Sequence, residues 1–120
     1  PKALALTERG RPERRSFGRA VALLYLRRNR TESIERRFVA LLDADAEQLP
    51  HHLRQMVHLL KAEEGIRIHW VELLTDLRDW NRDDRRVQQR WARAFYREVN
   101  AAPDADGADN EDRPRQEEGA

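Results

Sequence analysis

Apolar side chains recur every three or four residues through the middle of the chain, which is the period of a helix with one buried face. Five such stretches lie between residues 16 and 100, and strand-like alternation is nearly absent. The pattern predicts an all-α fold, an antiparallel helical bundle of about five helices with flexible ends. The predicted core stripes are Phe17, Val21 and Leu24; Ile34, Phe38, Leu41 and Leu42; Leu49, Leu53, Met56, Val57 and Leu60; Trp70, Leu73, Leu74, Leu77 and Trp80; and Val87, Trp91, Phe95 and Val99.

Residues that start or stop helices separate the five stretches. Residues 29–30 end the first helix, and Thr31 is the predicted N-cap of the second. Pro50 is tolerable only near the start of the third helix, because its missing N–H has no partner to lose there. Gly65 should adopt the left-handed conformation that stops the third helix. Asn81 is the predicted N-cap of the fifth.

Composition changes sharply at the two ends of the chain. Residues 1–15 contain Gly10 and Pro12 and are interpreted as a basic linker or the remnant of an N-terminal helical part. Residues 101–120 have no large apolar side chain, so they should form a disordered acidic tail. The bundle domain is therefore expected over 16–100. Cysteine is absent, which fits a reducing compartment such as the cytoplasm, and no apolar run is long enough to span a membrane.

The net charge of +1 hides a strong asymmetry. Residues 1–42 hold 11 basic and 4 acidic side chains, residues 43–100 hold 10 and 11, and residues 101–120 hold 2 and 7. A basic half points to a polyanionic partner such as nucleic acid, although a solvated helical surface explains the same charges.

Candidate catalytic chemistry is sparse, so we expect no enzyme, no cofactor and no metal. Neither serine lies in a glycine-flanked elbow, and no glycine-rich phosphate loop occurs. His51 and His58 share a helix face but lie about 10 Å apart along its axis, too far to share a metal unaided. Acidic pairs such as 83–84 and 43/45 could serve acid–base catalysis, but their positions near helix ends also fit capping.

Several segments together resemble one known family. They are SFGRAVA (16–22), IERRFVALLDAD (34–45), LRQMVHLLK (53–61), IHWVELLTDLRDW (68–80) and VQQRWARAFY (87–96). Their order and spacing are similar to the small subunit of the type I-E CRISPR Cascade complex, the CasB family. Members of that family carry a further N-terminal helical portion, so the chain is interpreted as a C-terminal portion of the family fold.

The resemblance implies a non-enzymatic role in antiviral defence. It implies guide RNA, target DNA and the displaced single DNA strand as partners, besides a second copy of the chain and the Cascade backbone and large subunits. The protein would bind the sugar-phosphate backbone, whereas base pairing with the guide would recognise the sequence. Cleavage would belong to a recruited helicase-nuclease.

Five arginines are the expected phosphate contacts. By matched position, the resemblance implies Arg19 of S-x-G-R-A and the Arg36–Arg37 pair of E-R-R-F first, then Arg54 and Arg82. Each has a plainer reading as a solvated or intramolecularly paired side chain; Arg36, for instance, lies four residues after Glu32. Two rival functions stay open: a free-standing helical DNA-binding regulator, and a helical adaptor whose arginines meet acidic proteins.

Overall fold

The structure, a computed structural model, describes residues 15–103 and shows five helices there with no strand. They are α1 (Phe17–Arg27), α2 (Glu32–Asp43), α3 (Leu49–Lys61), α4 (Trp70–Arg78) and α5 (Arg86–Ala101). The prediction of an all-α bundle of about five helices is confirmed. The predicted linker before Arg15 and the acidic tail beyond residue 103 lie outside the described residues. None of the described helices is long and apolar enough to cross a membrane.

The core is built around the packing of α1 on α5. Trp91 of α5 is completely buried and contacts Phe17 and Trp80, with ring centroids 5.0 and 5.1 Å away. One turn later, Phe95 stacks on Phe38 of α2 at 4.6 Å. These rings join three helices and the α4–α5 loop in one apolar cluster. The spacing of four residues between Trp91 and Phe95 had predicted that both are in the core.

Gly18 sets the distance between α1 and α5. A Cβ atom at this position would lie 2.1 Å from the backbone oxygen of Trp91, so no other residue fits without moving a helix. Two residues earlier, the Ser16 hydroxyl accepts the Gly18 N–H at 3.0 Å and caps α1. The serine and glycine of the S-x-G-R-A motif therefore have structural roles.

The Ala44–Asp45 ending of α2 also has a structural role. The carbonyl of Ala44 accepts the buried indole N–H of Trp80 at 2.9 Å. Asp45 accepts the backbone N–H of Gln48 at 2.9 Å and so organises the turn into α3. The Gln88 side chain in turn donates to the Trp80 carbonyl at 2.9 Å. Together these hydrogen bonds link the α4–α5 loop to the end of α2 and to α5.

Asp76 is a buried carboxylate that links α4 to α5. It accepts the indole N–H of Trp91 at 2.8 Å and a guanidinium N–H of Arg90, and it is only 5% exposed. Both buried tryptophan N–H groups therefore have acceptors, which a buried donor requires.

The fifth helix begins later than the sequence predicted. Its first residue is Arg86, so the prediction of Asn81 as N-cap is wrong. The N-cap position is held by Arg85, whose φ is 50°, and the Asp84 carboxylate accepts the Arg86 N–H at 3.2 Å. A helix that started at Asn81 would have to run through Arg85, whose left-handed φ of 50° does not fit a right-handed helix.

Two of the predicted core residues of α4 face outward. Trp70 is 49% exposed and Leu74 is 60% exposed, so placing them in the core was wrong. Leu73, between them, is buried. With only nine residues, α4 turns one face to the bundle, and Trp70 and Leu74, four apart, lie together off that face.

The other helix boundaries follow the predicted signals closely. Pro50 lies in the first turn of α3, and Thr31 is the N-cap residue of α2, although its hydroxyl donates to the Arg28 carbonyl rather than capping the helix. Gly65 has the predicted positive φ, 88°, but α3 has already ended at Lys61, so Gly65 turns the following loop instead.

Candidate nucleic-acid interface

The polar faces of α2 and α3 form a shallow groove on the bundle surface. Both helices bury their apolar stripes in the core, through Ile34 and Phe38 on α2 and Met56 and Leu60 on α3. Because these helices pack beside each other, the side chains that flank the two buried stripes meet at the surface. We call this surface the α2–α3 groove; it comprises two clefts with shared walls.

The two clefts have different linings. The smaller, about 350 Å³, is lined by Ser33, Arg36, Arg37, Ala40, His52 and Gln55. The larger, about 460 Å³, is lined by Arg37, His51, Arg54, Gln55, His58 and Leu59. Arg37 and Gln55 line both clefts, so the clefts adjoin each other. No carboxylate lines either one, and every ionisable side chain in the groove is an arginine or a histidine.

Three of the five predicted arginines meet in this groove. Arg37 and Arg54 are exposed, and neither has a hydrogen bond or ion pair with any residue in 15–103. Arg36 lies 3.7 Å from Glu32, but the two side chains are 71% and 88% exposed, so water screens this pair and it stabilises the helix little. All three guanidinium groups are therefore accessible to an external anion.

Arg19 lies elsewhere and is partly engaged. Its Nε donates to Glu98 of α5 at 3.2 Å, and its side chain is 38% exposed. It also lines a small cleft of about 130 Å³ with Arg67 and His69. The structure thus gives Arg19 a role in holding α1 on α5 and does not bring it into the α2–α3 groove.

Arg82 is bound to a carboxylate in the α4–α5 loop. Its Nε and Nη2 donate to the two oxygens of Asp84 at 3.2 and 3.0 Å. This bidentate contact raises the pKa of Arg82 and, mainly through the same hydrogen bond, lowers the pKa of Asp84. Arg86 lies 3.7 Å from the same carboxylate. The geometry favours intramolecular ion pairs for Arg82 and Arg86. A phosphate contact by Arg82 stays a prediction.

Basic side chains at the end of α1 are also used internally. Arg28 donates to Glu63 at 2.7 Å, and Arg27 donates to the Glu64 carbonyl. Both contacts fasten the end of α1 to the loop after α3. Within residues 15–103, Arg37 and Arg54 of the α2–α3 groove make no such contact, and Arg36 pairs only with the exposed Glu32.

Sequence reasoning included Arg54 but missed the other side chains that α3 contributes to the groove. His51, Gln55 and His58 follow one another at spacings of four and three, which places them on one helix face, but the histidines were weighed only as metal ligands. Over residues 15–103, no group of three or more histidine, aspartate or glutamate side chains is arranged to hold a metal ion. The sequence signal that could have identified His51, Gln55 and His58 is their position on one helix face next to Arg54.

A five-helix domain whose surface groove carries arginines and no carboxylate is typical of a protein that binds a polyanion. Comparison with known proteins identifies the family. The family model described as CRISPR-associated protein Cse2 matches residues 2–96. The chain belongs to this Cse2 (CasB) family, which confirms the resemblance carried by its motifs.

Two relatives show how far the similarity extends. The CRISPR-associated protein Cse2 of Thermus thermophilus is 44% identical over 80 residues, which cover 66% of this chain and 45% of the relative. The crystal structure of M. ruber CasB is 60% identical with a TM-score of 0.73, covering 73% of this chain and 50% of that one. The chain therefore spans about half the length of these relatives.

Proposed function

We propose that the chain acts as a non-catalytic subunit of a type I-E CRISPR Cascade complex and holds nucleic acid through arginine–phosphate contacts. Family membership supports the place in Cascade. The observation that supports phosphate binding is the α2–α3 groove, whose two clefts are lined by Arg36, Arg37 and Arg54 and by no carboxylate. In this role the protein steadies guide RNA and target DNA and holds the displaced strand. A second copy of the chain and the backbone and large subunits are its protein partners.

The chemistry of the groove suits phosphate. A guanidinium presents a planar fork of donors that matches two phosphate oxygens, and it keeps its charge at every physiological pH. Arg37 and Arg54 line one cleft from opposite helices. A strand lying between α2 and α3 therefore meets charge on both sides, and because the contacts are to its backbone, they favour no base sequence.

One member of each acidic pair considered for catalysis makes a structural contact. Asp84 binds Arg82 and Arg86, and Asp45 organises the turn before α3. Asp76, the carboxylate buried among the described residues, accepts hydrogen bonds from Trp91 and Arg90. These contacts support structural roles for the carboxylates and a protein that binds strands without cleaving them.

The salt dependence of single-stranded DNA binding tests this proposal. Fluorescence anisotropy with a labelled 20-mer gives the dissociation constant across a salt series, using the full chain. Removing three phosphate contacts should reduce the slope of log K against log salt by about 2, since single strands contribute about 0.7 per phosphate. We therefore expect the triple variant R36A/R37A/R54A to lose both affinity and slope.

A second triple variant provides the matched control. Arg67, Arg78 and Arg93 are exposed and lie outside the α2–α3 groove, so R67A/R78A/R93A removes the same charge from other surfaces. It should keep most of the slope. Equal losses in both variants would show diffuse attraction and refute the groove. Strong preference for one duplex sequence would favour a DNA-binding regulator, and absence of binding at low salt would favour a protein adaptor.

A further inference from the structure

The larger cleft of the α2–α3 groove has a feature that phosphate binding does not require. Most of its exposed surface is apolar, and its lining includes Leu59 and the imidazoles of His51 and His58. A phosphate is strongly hydrated and gains nothing from such a surface. A flat, weakly polar heterocycle does gain from leaving water there.

The cleft offers the groups that hold a nucleobase. Imidazole planes are surfaces on which unpaired bases stack. Leu59 supplies an apolar contact, and the Gln55 amide can both donate to and accept from a base edge. At about 460 Å³, the cleft lies within the range of small-ligand sites.

The two imidazoles of the cleft belong to the same helix. The rings of His51 and His58 are two helical turns apart on α3, so they lie on one face at opposite ends of the cleft wall. The ring of His51 meets the ring of His52 edge to face, with centroids 5.4 Å apart. The cleft therefore presents two separate imidazoles along its α3 wall.

We infer that the larger cleft is a base-binding subsite for an unpaired nucleotide, whose flanking phosphates are held by Arg37 and Arg54. This inference rests on the proposed function, since it places a base within the same groove. A base inside a duplex is already stacked and paired, so it cannot enter. The groove therefore prefers single strands, and it tolerates any base because every base has a stacking face.

The test compares two single strands of equal charge. One is a 12-mer of thymidine; the other is a 12-mer of abasic tetrahydrofuran nucleotides with the same phosphates. Anisotropy is measured at pH 8.5, above the range in which histidine ordinarily titrates, so that imidazole charge does not contribute. The full chain should bind the thymidine strand about tenfold more tightly than the abasic strand, as one or two stacked bases provide.

Three variants assign the preference. H51A/H58A should bind both strands with the affinity that the unchanged protein shows for the abasic strand. H69A, which removes an imidazole outside the groove, should keep the tenfold preference. R37A/R54A should weaken both strands by a similar factor. Because all these side chains except the half-buried His69 are exposed, the variants should fold, and circular dichroism verifies this.

The outcomes separate this inference from the proposed function. If the two strands bind with equal affinity and R37A/R54A weakens the binding of both, the base subsite is overturned, whereas the proposal of phosphate binding is retained. A preference that survives in H51A/H58A would also overturn the subsite. Tighter binding of a blunt 12-base-pair duplex than of the thymidine strand would overturn its preference for single strands. If neither strand binds at low salt, both proposals fail.

Discussion

Replacing Gly18 with alanine tests whether the contact between α1 and α5 fixes the bundle. The added Cβ would lie 2.1 Å from the Trp91 carbonyl oxygen and 2.8 Å from its carbon, whereas real Cβ contacts stay above 3.0 Å. The two helices must therefore separate by about 0.9 Å at this point. No rotamer change can relieve the clash, because the opposing atoms belong to the backbone of α5.

The expected cost follows from two opposing effects. Overpacking in a tight core costs about 1–3 kcal/mol, and a clash between backbone atoms belongs at the upper end. Alanine recovers about 1 kcal/mol through its better helix propensity. The net loss is about 2 kcal/mol, which lowers the melting temperature of a domain this small by about 8–16 °C.

Thermal unfolding followed by circular dichroism at 222 nm measures this loss. Ser16→Ala is the matched control, because it removes the cap of the same helix without adding a Cβ at Gly18, and it should cost about 1 kcal/mol. Gly18→Ser should be at least as destabilising as Gly18→Ala. A Gly18→Ala protein that melts within 2 °C of the unchanged chain, or above it, would refute the close approach.

Three further predictions concern buried and half-buried groups. Asp76→Ala should cost about 3 kcal/mol in urea unfolding, because it leaves the buried indole N–H of Trp91 without an acceptor. Leu73→Ser should cost at least 2 kcal/mol, whereas Leu74→Ser, at an exposed neighbour, should change stability by less than about 0.5 kcal/mol. Partial burial and a hydrogen bond to a carboxylate raise the pKa of Tyr96 to about 12, so absorbance at 295 nm should show a late titration that Tyr96→Phe abolishes.

Each of these has an outcome that would contradict it. Asp76→Asn keeps an acceptor for the indole, so a loss equal to that of Asp76→Ala would refute the hydrogen-bond explanation. Equal losses for the two leucine variants would refute the assigned outer face of α4. For Tyr96, the neutral form is favoured in the folded state, so the benefit is complete below pH 10 and lost as pH rises towards 12. If the unchanged protein keeps its stability relative to Tyr96→Phe over that range, the pKa shift is absent.

The fold followed from the sequence where local and tertiary signals agree. Val87, Trp91 and Phe95 recur at fours, and all three are buried. On α4, however, Trp70 and Leu74 have the same spacing and polarity as true core residues. Only the position of α4 against its neighbours decides which stripe is buried, and periodicity alone contains no information about that position.

The start of α5 shows the same limit. Asn81 and the two aspartates that follow are all good N-cap residues, so local preference cannot choose among them. In the structure Arg85 is left-handed, so the helix starts only at residue 86, and Trp80 in the preceding loop donates to Ala44. The Trp80–Ala44 contact joins residues 36 apart and has no signature in local composition.

The candidate site was predicted in part. The motifs pointed to Arg36, Arg37 and Arg54, and the structure brings these three into one groove. The same reasoning included Arg19 and Arg82, whose carboxylate partners are 79 and 2 residues away in sequence. The first partner could be found only from the fold. The second is close in sequence, but whether its carboxylate meets the guanidinium of Arg82 depends on the conformation of the loop.

The location of nucleic-acid binding is the most direct test of the account. Backbone amide chemical shifts of the ¹⁵N-labelled chain, at 14.2 kDa, can be followed while an unlabelled thymidine 12-mer is added. The account predicts that the largest shifts fall in residues 33–40 and 51–59, with small changes around Arg19 and Arg82. Shifts centred on residues 82–86, or on the first turn of α1 with residues 65–69, would contradict it, as would no shift at low salt.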